Sequence, residues 1–515
     1  MRRIAGLVAF AALLPCVVGS GASSLRAADY LVDPAYDGPE ASARGRYAGV
    51  YRSLVAALSD ESTIAVPEGM SPDSPNRIYI APGVYNTAAE TGRSLVNSRR
   101  NLALIGTTGD PDDVVITSTL FGPYEPSPGQ PIGTFDSASL QLRGNNVTAA
   151  GITFANSSPT PWMVRLGRVI DPQGNFTQQP LTGQRQAVAL RMTGDQQALV
   201  NSKILGYQDT LFVDGGRAYF EDVYVNGNVD FIFGQGTAVF VNSTINVEGS
   251  HSGGTIAAAR TDKRTANGFV FIDATITSES VRGNQIIDPY NAASVQGAAD
   301  DSMYLGRPWG AVQPQGDSAT VWINARMSDA IRSTGWLAWT GPPATGGESA
   351  RFAEFNTMDL DGNPLIVPGQ RGGTREGNLA GRVAWGRELT DDQARWFTVD
   401  RIFAPEDEAQ WFGQGFDGPA DPLSVDYSWP AYWGDRSDEN LAGSALVKGN
   451  PTGYTNPNWT IPGGWDPQAQ IRTALVPEPG VGVLAIVAAA AATGGRARCG
   501  GGRLRRRASR HGAAP

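Results

Sequence analysis

One short pattern recurs through the middle of the 515-residue chain and restricts its fold more than any other feature. β-Branched, apolar or aromatic residues lead into an Asn or Asp, and an apolar residue follows three positions later. The pattern occurs at Leu199-Val200-Asn201 to Ile204, Phe220-Glu221-Asp222 to Val225, Phe240-Val241-Asn242 to Ile245, Phe271-Ile272-Asp273 to Ile276, and Trp322-Ile323-Asn324 to Met327. Successive Asn/Asp positions are 21, 20, 31 and 51 residues apart. Two intervals near 20 and two longer ones predict coils of a β-solenoid with loops inserted on some turns. A sandwich of short strands explains the strand lengths equally well, but not an Asn or Asp that returns in phase. Ahead of the ladder, Tyr51-Arg52-Ser53-Leu54-Val55-Ala56-Ala57-Leu58 has helical spacing and predicts a helix over the open end of the first coil. The expected class is all-β, and 63 glycines with only 18% charged residues agree with a turn-rich chain.

The rare residues narrow the chemistry. The only cysteines are Cys16 and Cys499, and the only histidines are His251 and His511. A multi-histidine or cysteine metal site is thereby excluded, and a Ser-His-Asp triad would depend on His251 alone. Carboxylates and amides are the expected agents, with no metal and no cofactor.

Both ends read as addresses. Arg2 and Arg3, an apolar run from Ile4 to Val18 and small residues up to Ala28 predict a secretory signal peptide over residues 1–27, cut near Ala22 or Ala27. At the other end, Val476-Pro477-Glu478-Pro479 precedes an apolar stretch from Gly480 to Thr493 and then seven arginines. That apolar stretch is shorter than the ~20 residues needed to span a bilayer. Residues 476–515 resemble a bacterial PEP-CTERM sorting signal, which implies an exosortase-type machinery as partner and a secreted, cell-surface or extracellular-matrix location. The whole chain has formal charge −9, but its first 27 and last 36 residues hold ten arginines and no acid, so residues 28–479 carry −19. Such a body is not expected to bind nucleic acid.

The repeat register singles out two aspartates. Asp209 lies eight residues after Asn201, and Asp230 lies eight after Asp222. In stacked coils they occupy equivalent places on adjacent rungs, about 4.8 Å apart, on one face by the period-2 rule. Phe212, Phe231 and Phe233 are close in sequence. Two carboxyls so placed repel, and one is expected to stay protonated while the other ionises. The alternative is a pair of solvated turn aspartates.

Four segments around this pair, in order, resemble the signature segments of pectin methylesterases: Gln186-Ala187-Val188-Ala189-Leu190, Gly206-Tyr207-Gln208-Asp209-Thr210-Leu211, Val229-Asp230-Phe231-Ile232-Phe233-Gly234 and Leu305-Gly306-Arg307-Pro308-Trp309. The resemblance covers roughly residues 45–412 and implies a right-handed parallel β-helix. It also implies Asp230 as nucleophile, Asp209 as general acid/base, and Gln186 and Gln208 as oxyanion donors. By the same resemblance Arg307 positions Asp230, while Gln186, Arg307, Trp309 and Phe212 contact a methyl-esterified homogalacturonan. Gly83-Val84-Tyr85-Asn86-Thr87 lacks the glutamate that family members often carry there. The stretch near 157–184 reads as an insertion.

The expected organisation is a β-helix over 28–412, an irregular extension or linker over 413–475 and the sorting tail, in a monomer. A non-catalytic polysaccharide-binding surface solenoid and a pectin or pectate lyase are the other readings. The charge of −19 predicts that densely methylated, nearly neutral pectin is preferred over its acidic product.

Overall fold

The computed structural model describes residues 27–60, 74–158, 185–249, 253–261, 267–280, 296–309, 318–340, 350–365 and 464–475, with shorter stretches between 168 and 180 and between 347 and 403. Its strands form three long sheets of thirteen, nine and seven strands. Successive passes of the chain place one strand in each sheet. Gln197–Val200, Lys203–Leu205 and Leu211–Val213 make one coil; Arg217–Glu221, Tyr224–Gly227 and Val229–Gly234 make the next. The coils stack in register, with Gln197 against Ala218, Lys203 against Tyr224 and Leu211 against Ile232, all parallel. This is the expected parallel β-helix, not a sandwich.

The recurring Asn/Asp marks the corner between the first and second sheets. Asn201, Asp222, Asn242, Asp273 and Asn324 all have left-handed backbone, with φ between 44° and 54°. Asn and Asp enter that region more readily than other residues with a side chain, because their short polar groups bond locally. Here they also bond along the stack. Asn324 Nδ2 donates to Asp273 Oδ1 at 3.0 Å, and Asn356 Nδ2 to Asn324 Oδ1 at 2.9 Å. The phase of the repeat is therefore the phase of a turn.

Inside, side chains at one register position pile up along the axis. Phe220, Phe240, Phe271 and Trp322 stack with ring centroids 4.3, 4.7 and 3.8 Å apart. The N-terminal end is closed by a helix over Leu54–Ser59, which buries Leu54, Ala57 and Leu58 and is capped by Ser53 accepting from Ala56 N. The helix starts later than its spacing predicts, because Tyr51 ends the strand Tyr47–Tyr51.

The C-terminal expectation needs correcting. Residues 464–475 are not an irregular linker, for Pro467–Leu475 is a helix lying on the outer face of the first sheet. Trp465, Ile471 and Phe403 join Tyr219, Val239, Val270 and Val321 in one buried cluster. Arg77 Nε and Nη2 bind Ala474 O and Thr473 O at 2.8 and 2.9 Å, satisfying the helix's last carbonyls. Sequence periodicity missed this because the short helix gains its stability from the sheet beneath it. Within the insertion, Arg168–Ile170 and Phe176–Pro180 form an antiparallel pair. The expected signal peptide, the sorting tail, His251 and most of 413–475 lie outside the described residues.

Candidate active site

The third sheet carries the residues that the repeat register selected. Gln208 bridges Val229, and Asp209 N donates to Val229 O at 3.0 Å, so the two aspartate segments sit on adjacent rungs. Both aspartates are left-handed, Asp209 at φ 62° and Asp230 at φ 49°. Strict alternation fails here. The pairing to the next strand slips between Val229 and Ile232, a β-bulge, and both Phe231 and Ile232 enter the core. The carboxyls share a face because the same kinked turn repeats, not because of the period-2 rule.

Asp230 accepts a two-point contact from Arg307, with Nε to Oδ1 at 2.8 Å and Nη2 to Oδ2 as the second bond. Arg307 arrives by register, since it pairs with Ala258, which pairs with Phe233. Asp209 and Asp230 are each only 9% exposed, which removes the solvated-turn reading. Burial and the neighbouring Asp230 carboxylate push the Asp209 carboxyl well above its ordinary range. Burial also raises Asp230, but the hydrogen bonds and charge of Arg307 oppose the rise. Of the two, Asp209 is therefore the carboxyl that keeps its proton to higher pH.

Gln186, Gln208, Asp209, Asp230, Arg307 and Trp309 line one cleft of about 540 Å³. Gln208 Oε1 accepts from Arg185 N at 3.2 Å, which orients the amide so that its nitrogen is the end that can donate. Phe212 departs from expectation: it is 1% exposed and does not line the cleft. It lies between Phe135 and Phe233, with centroids 5.1 and 4.3 Å away, so it supports the wall instead of touching the space.

The exposed aromatic surface comes partly from residues the sequence reading did not select. Phe135 is 46% exposed over Phe212, and Trp339 lies 4.7 Å from the Arg307 guanidinium. Behind them Arg191, buried and paired with Asp214 at 2.6 Å, donates Nη1 to Phe135 O at 3.3 Å. The one cue for Trp339 was its place in the aromatic pair Trp336-Leu337-Ala338-Trp339. Phe135 arrives on a single 3-10 turn, Thr134–Asp136, and left no periodic signal.

Fold and comparisons together define a β-helical carboxylic ester hydrolase. A family model described as Pectinesterase matches residues 174–403. Pectinesterase 31 of Arabidopsis thaliana is 32% identical over 279 residues, covering 54% of this chain and 68% of the relative. Pectin methylesterase from Yersinia enterocolitica superposes with a TM-score of 0.52 at 26% identity, over 68% of this chain and 98% of that one. Pectin methylesterase PemA from Erwinia chrysanthemi shares the fold, with a TM-score of 0.51 at 24% identity over 73% of this chain and 96% of its own. The chain belongs to the pectinesterase family. That membership favours an esterase over the non-catalytic and lyase readings.

Proposed function

We propose that the protein is an exported pectin methylesterase, which hydrolyses methyl esters of polygalacturonate to pectate and methanol through an aspartyl acyl-enzyme. The observation that carries the reading is the two-point bond from Arg307 to Asp230, next to an Asp209 whose carboxyl is pushed well above its ordinary range by burial and by the Asp230 carboxylate. Asp230, ionised and aimed by Arg307, attacks the ester carbonyl carbon. Gln186 and Gln208 donate to the tetrahedral oxyanion, a kind of contact worth about 2.7–4 kcal/mol. Collapse breaks the C–O bond to the methoxy group, and Asp209 gives its proton to the departing methanol, leaving an anhydride with Asp230. Asp209, now a carboxylate, takes a proton from water as that water adds to the anhydride. The water oxygen adds to the substrate carbonyl, the Asp230 carboxylate leaves, and the galacturonic acid so formed gives its proton to solvent as galacturonate. Trp309 offers an aromatic face to a sugar.

The ends of the chain belong to the same proposal. Residues 1–27 direct export, and 476–515 are read by an exosortase-type machinery as a PEP-CTERM signal, leaving a monomeric working body between them.

The test is methanol release from highly methylated pectin. The parent is expected to release it, and Asp230→Asn to fall by on the order of 10⁴-fold or more. A folded parent that releases no methanol across pectins of varied methylation overturns the proposal. Unsaturated sugar ends in place of methanol would identify a lyase.

A further inference from the structure

The arms that carry Asp209 and Asp230 leave the corner between the second and third sheets, and that corner is fastened by a carboxyl that takes no part in the chemical steps. Gly206 follows the strand Lys203–Leu205 and leads to Gln208 and Asp209. On the next coil, Asn226, Gly227 and Asn228 lead to Asp230. Glu248 belongs to the coil after that, directly beyond the strand Thr244–Val247. It grips three consecutive residues of the Asp230 arm. Its Oε1 accepts from Asn226 Nδ2, its N donates to Gly227 O at 2.8 Å, and its carbonyl accepts from Asn228 Nδ2 at 2.5 Å. The same Asn226 Nδ2 reaches Gly206 O at 3.3 Å, which extends the link to the arm of Asp209.

The corner leaves no slack. Asn226, Asn228 and Glu248 are all buried. Asn246 Nδ2 donates to Asn226 Oδ1 at 2.9 Å, which fixes the Asn226 amide with its nitrogen toward Glu248 and Gly206. Asn228 N donates to Tyr207 O at 2.8 Å, so the two arms also touch through main chain. A Cβ on Gly227 would lie 2.4 Å from that of Phe231, the residue after Asp230. Glu248 forms no ion pair among the described residues, and its titratable neighbours Tyr224 and Glu279 bring no positive charge. A buried carboxyl without a cation is costly, and an apolar side chain would fill the corner more cheaply. What an apolar side chain could not do is accept from Asn226.

We propose that Glu248 is a positioning residue for the reaction, which through Asn226 ties the two arms together and sets the place of Asp230 relative to Asp209. The inference rests on the esterase reading. Burial pushes the Glu248 carboxyl up to about 7. At about pH 6 it is therefore mostly neutral, and glutamine reproduces the oxygen that faces Asn226.

The test compares the full chain with Glu248→Leu, Glu248→Gln and Asn226→Ala at about pH 6, each checked for folding by near-UV circular dichroism. In Glu248→Leu, kcat for methanol release is expected to fall about tenfold or more, with KM within about twofold. The acid limb of kcat/KM should move to higher pH, because a displaced Asp230 loses the two-point contact from Arg307. Glu248→Gln is expected to restore both. A folded Glu248→Leu that loses thermal stability alone, with the kcat and acid limb of the parent, overturns the proposal. Should Glu248→Leu fail to fold, Asn226→Ala decides in the same way, since it cuts the same link and is expected to lower kcat about threefold to tenfold. Amide hydrogen exchange at Asn228 and Asp209 reads the link without substrate. It is expected to be at least about tenfold faster in Glu248→Leu and like the parent in Glu248→Gln. Lack of methanol from the parent would overturn the esterase reading, while unchanged exchange would overturn the role of Glu248.

Discussion

Asp209 and Asp230 are the same residue type on neighbouring rungs with the same left-handed backbone, yet their surroundings separate them. Only Asp230 is hydrogen-bonded by Arg307. On the proposed mechanism, activity rises with pH as Asp230 ionises and falls as Asp209 loses its proton. Arg307→Gln removes the contact that opposes the rise in the Asp230 pKa, so the acid limb of the kcat/KM profile is expected to move to higher pH. An acid limb that stays in place would show that Arg307 does not govern this ionisation. Arg307→Lys keeps the charge but loses the two-point geometry, and about a tenfold or greater fall in kcat is expected. Close to the pair, Gly234 has φ 130°, and a Cβ there would lie 1.9 Å from Val213 O. Gly234→Ala is expected to cost at least about 2 kcal/mol in denaturant unfolding, because both backbone strain and a clash with main chain oppose it.

At the scale of elements, the second sheet hides an acid that the mechanism does not use. Glu248 is 3% exposed, accepts from Asn226 Nδ2, and has its carboxyl raised by burial from 4.5 to about 7. Asn226 in turn accepts from Asn246 Nδ2 at 2.9 Å, and Asn246 from Thr277 Oγ1 at 2.8 Å. A folded-state pKa above the unfolded one makes the native state bind the proton more tightly. The stabilisation is full below about 4.5 and is lost as pH rises through about 7, some 3 kcal/mol in all. Glu248→Gln is expected to flatten this fall, which unfolding midpoints at pH 5 and pH 8 would show. The covering helix is the other element with a clear energetic role. Trp465 is 6% exposed, packs on Phe403 at 4.6 Å and lies 5.5 Å from the Arg217 guanidinium. Trp465→Ala is expected to destabilise the protein by about 3–5 kcal/mol, the range for deleting a buried aromatic, as read in denaturant.

For the whole molecule, the charge of −19 on residues 28–479 acts at a distance where individual contacts do not. A preference for densely over sparsely methylated pectin is expected to be largest near 10 mM salt, where the screening length is about 30 Å, and to shrink near 0.15 M, where it is about 8 Å. A preference independent of salt would place its origin in the cleft instead. This long-range term was legible in composition alone. The solenoid was legible in residue order, because a left-handed corner selects Asn or Asp and each coil repeats that corner, which leaves a periodic mark in the chain. The aspartate pair inherited the same phase and could be found in the same way. Arg307 and Trp309 stood out only through family resemblance, since 77 residues separate Arg307 from Asp230. Phe135, Trp339, the cover over the first sheet and the true place of Phe212 were decided by tertiary structure. The sequence by itself determined whatever recurs with the coil, because local backbone preference is written into each turn. Which side of a wall an aromatic ring occupies, and which loop or helix closes over it, depends on surfaces that meet only after the coils have stacked.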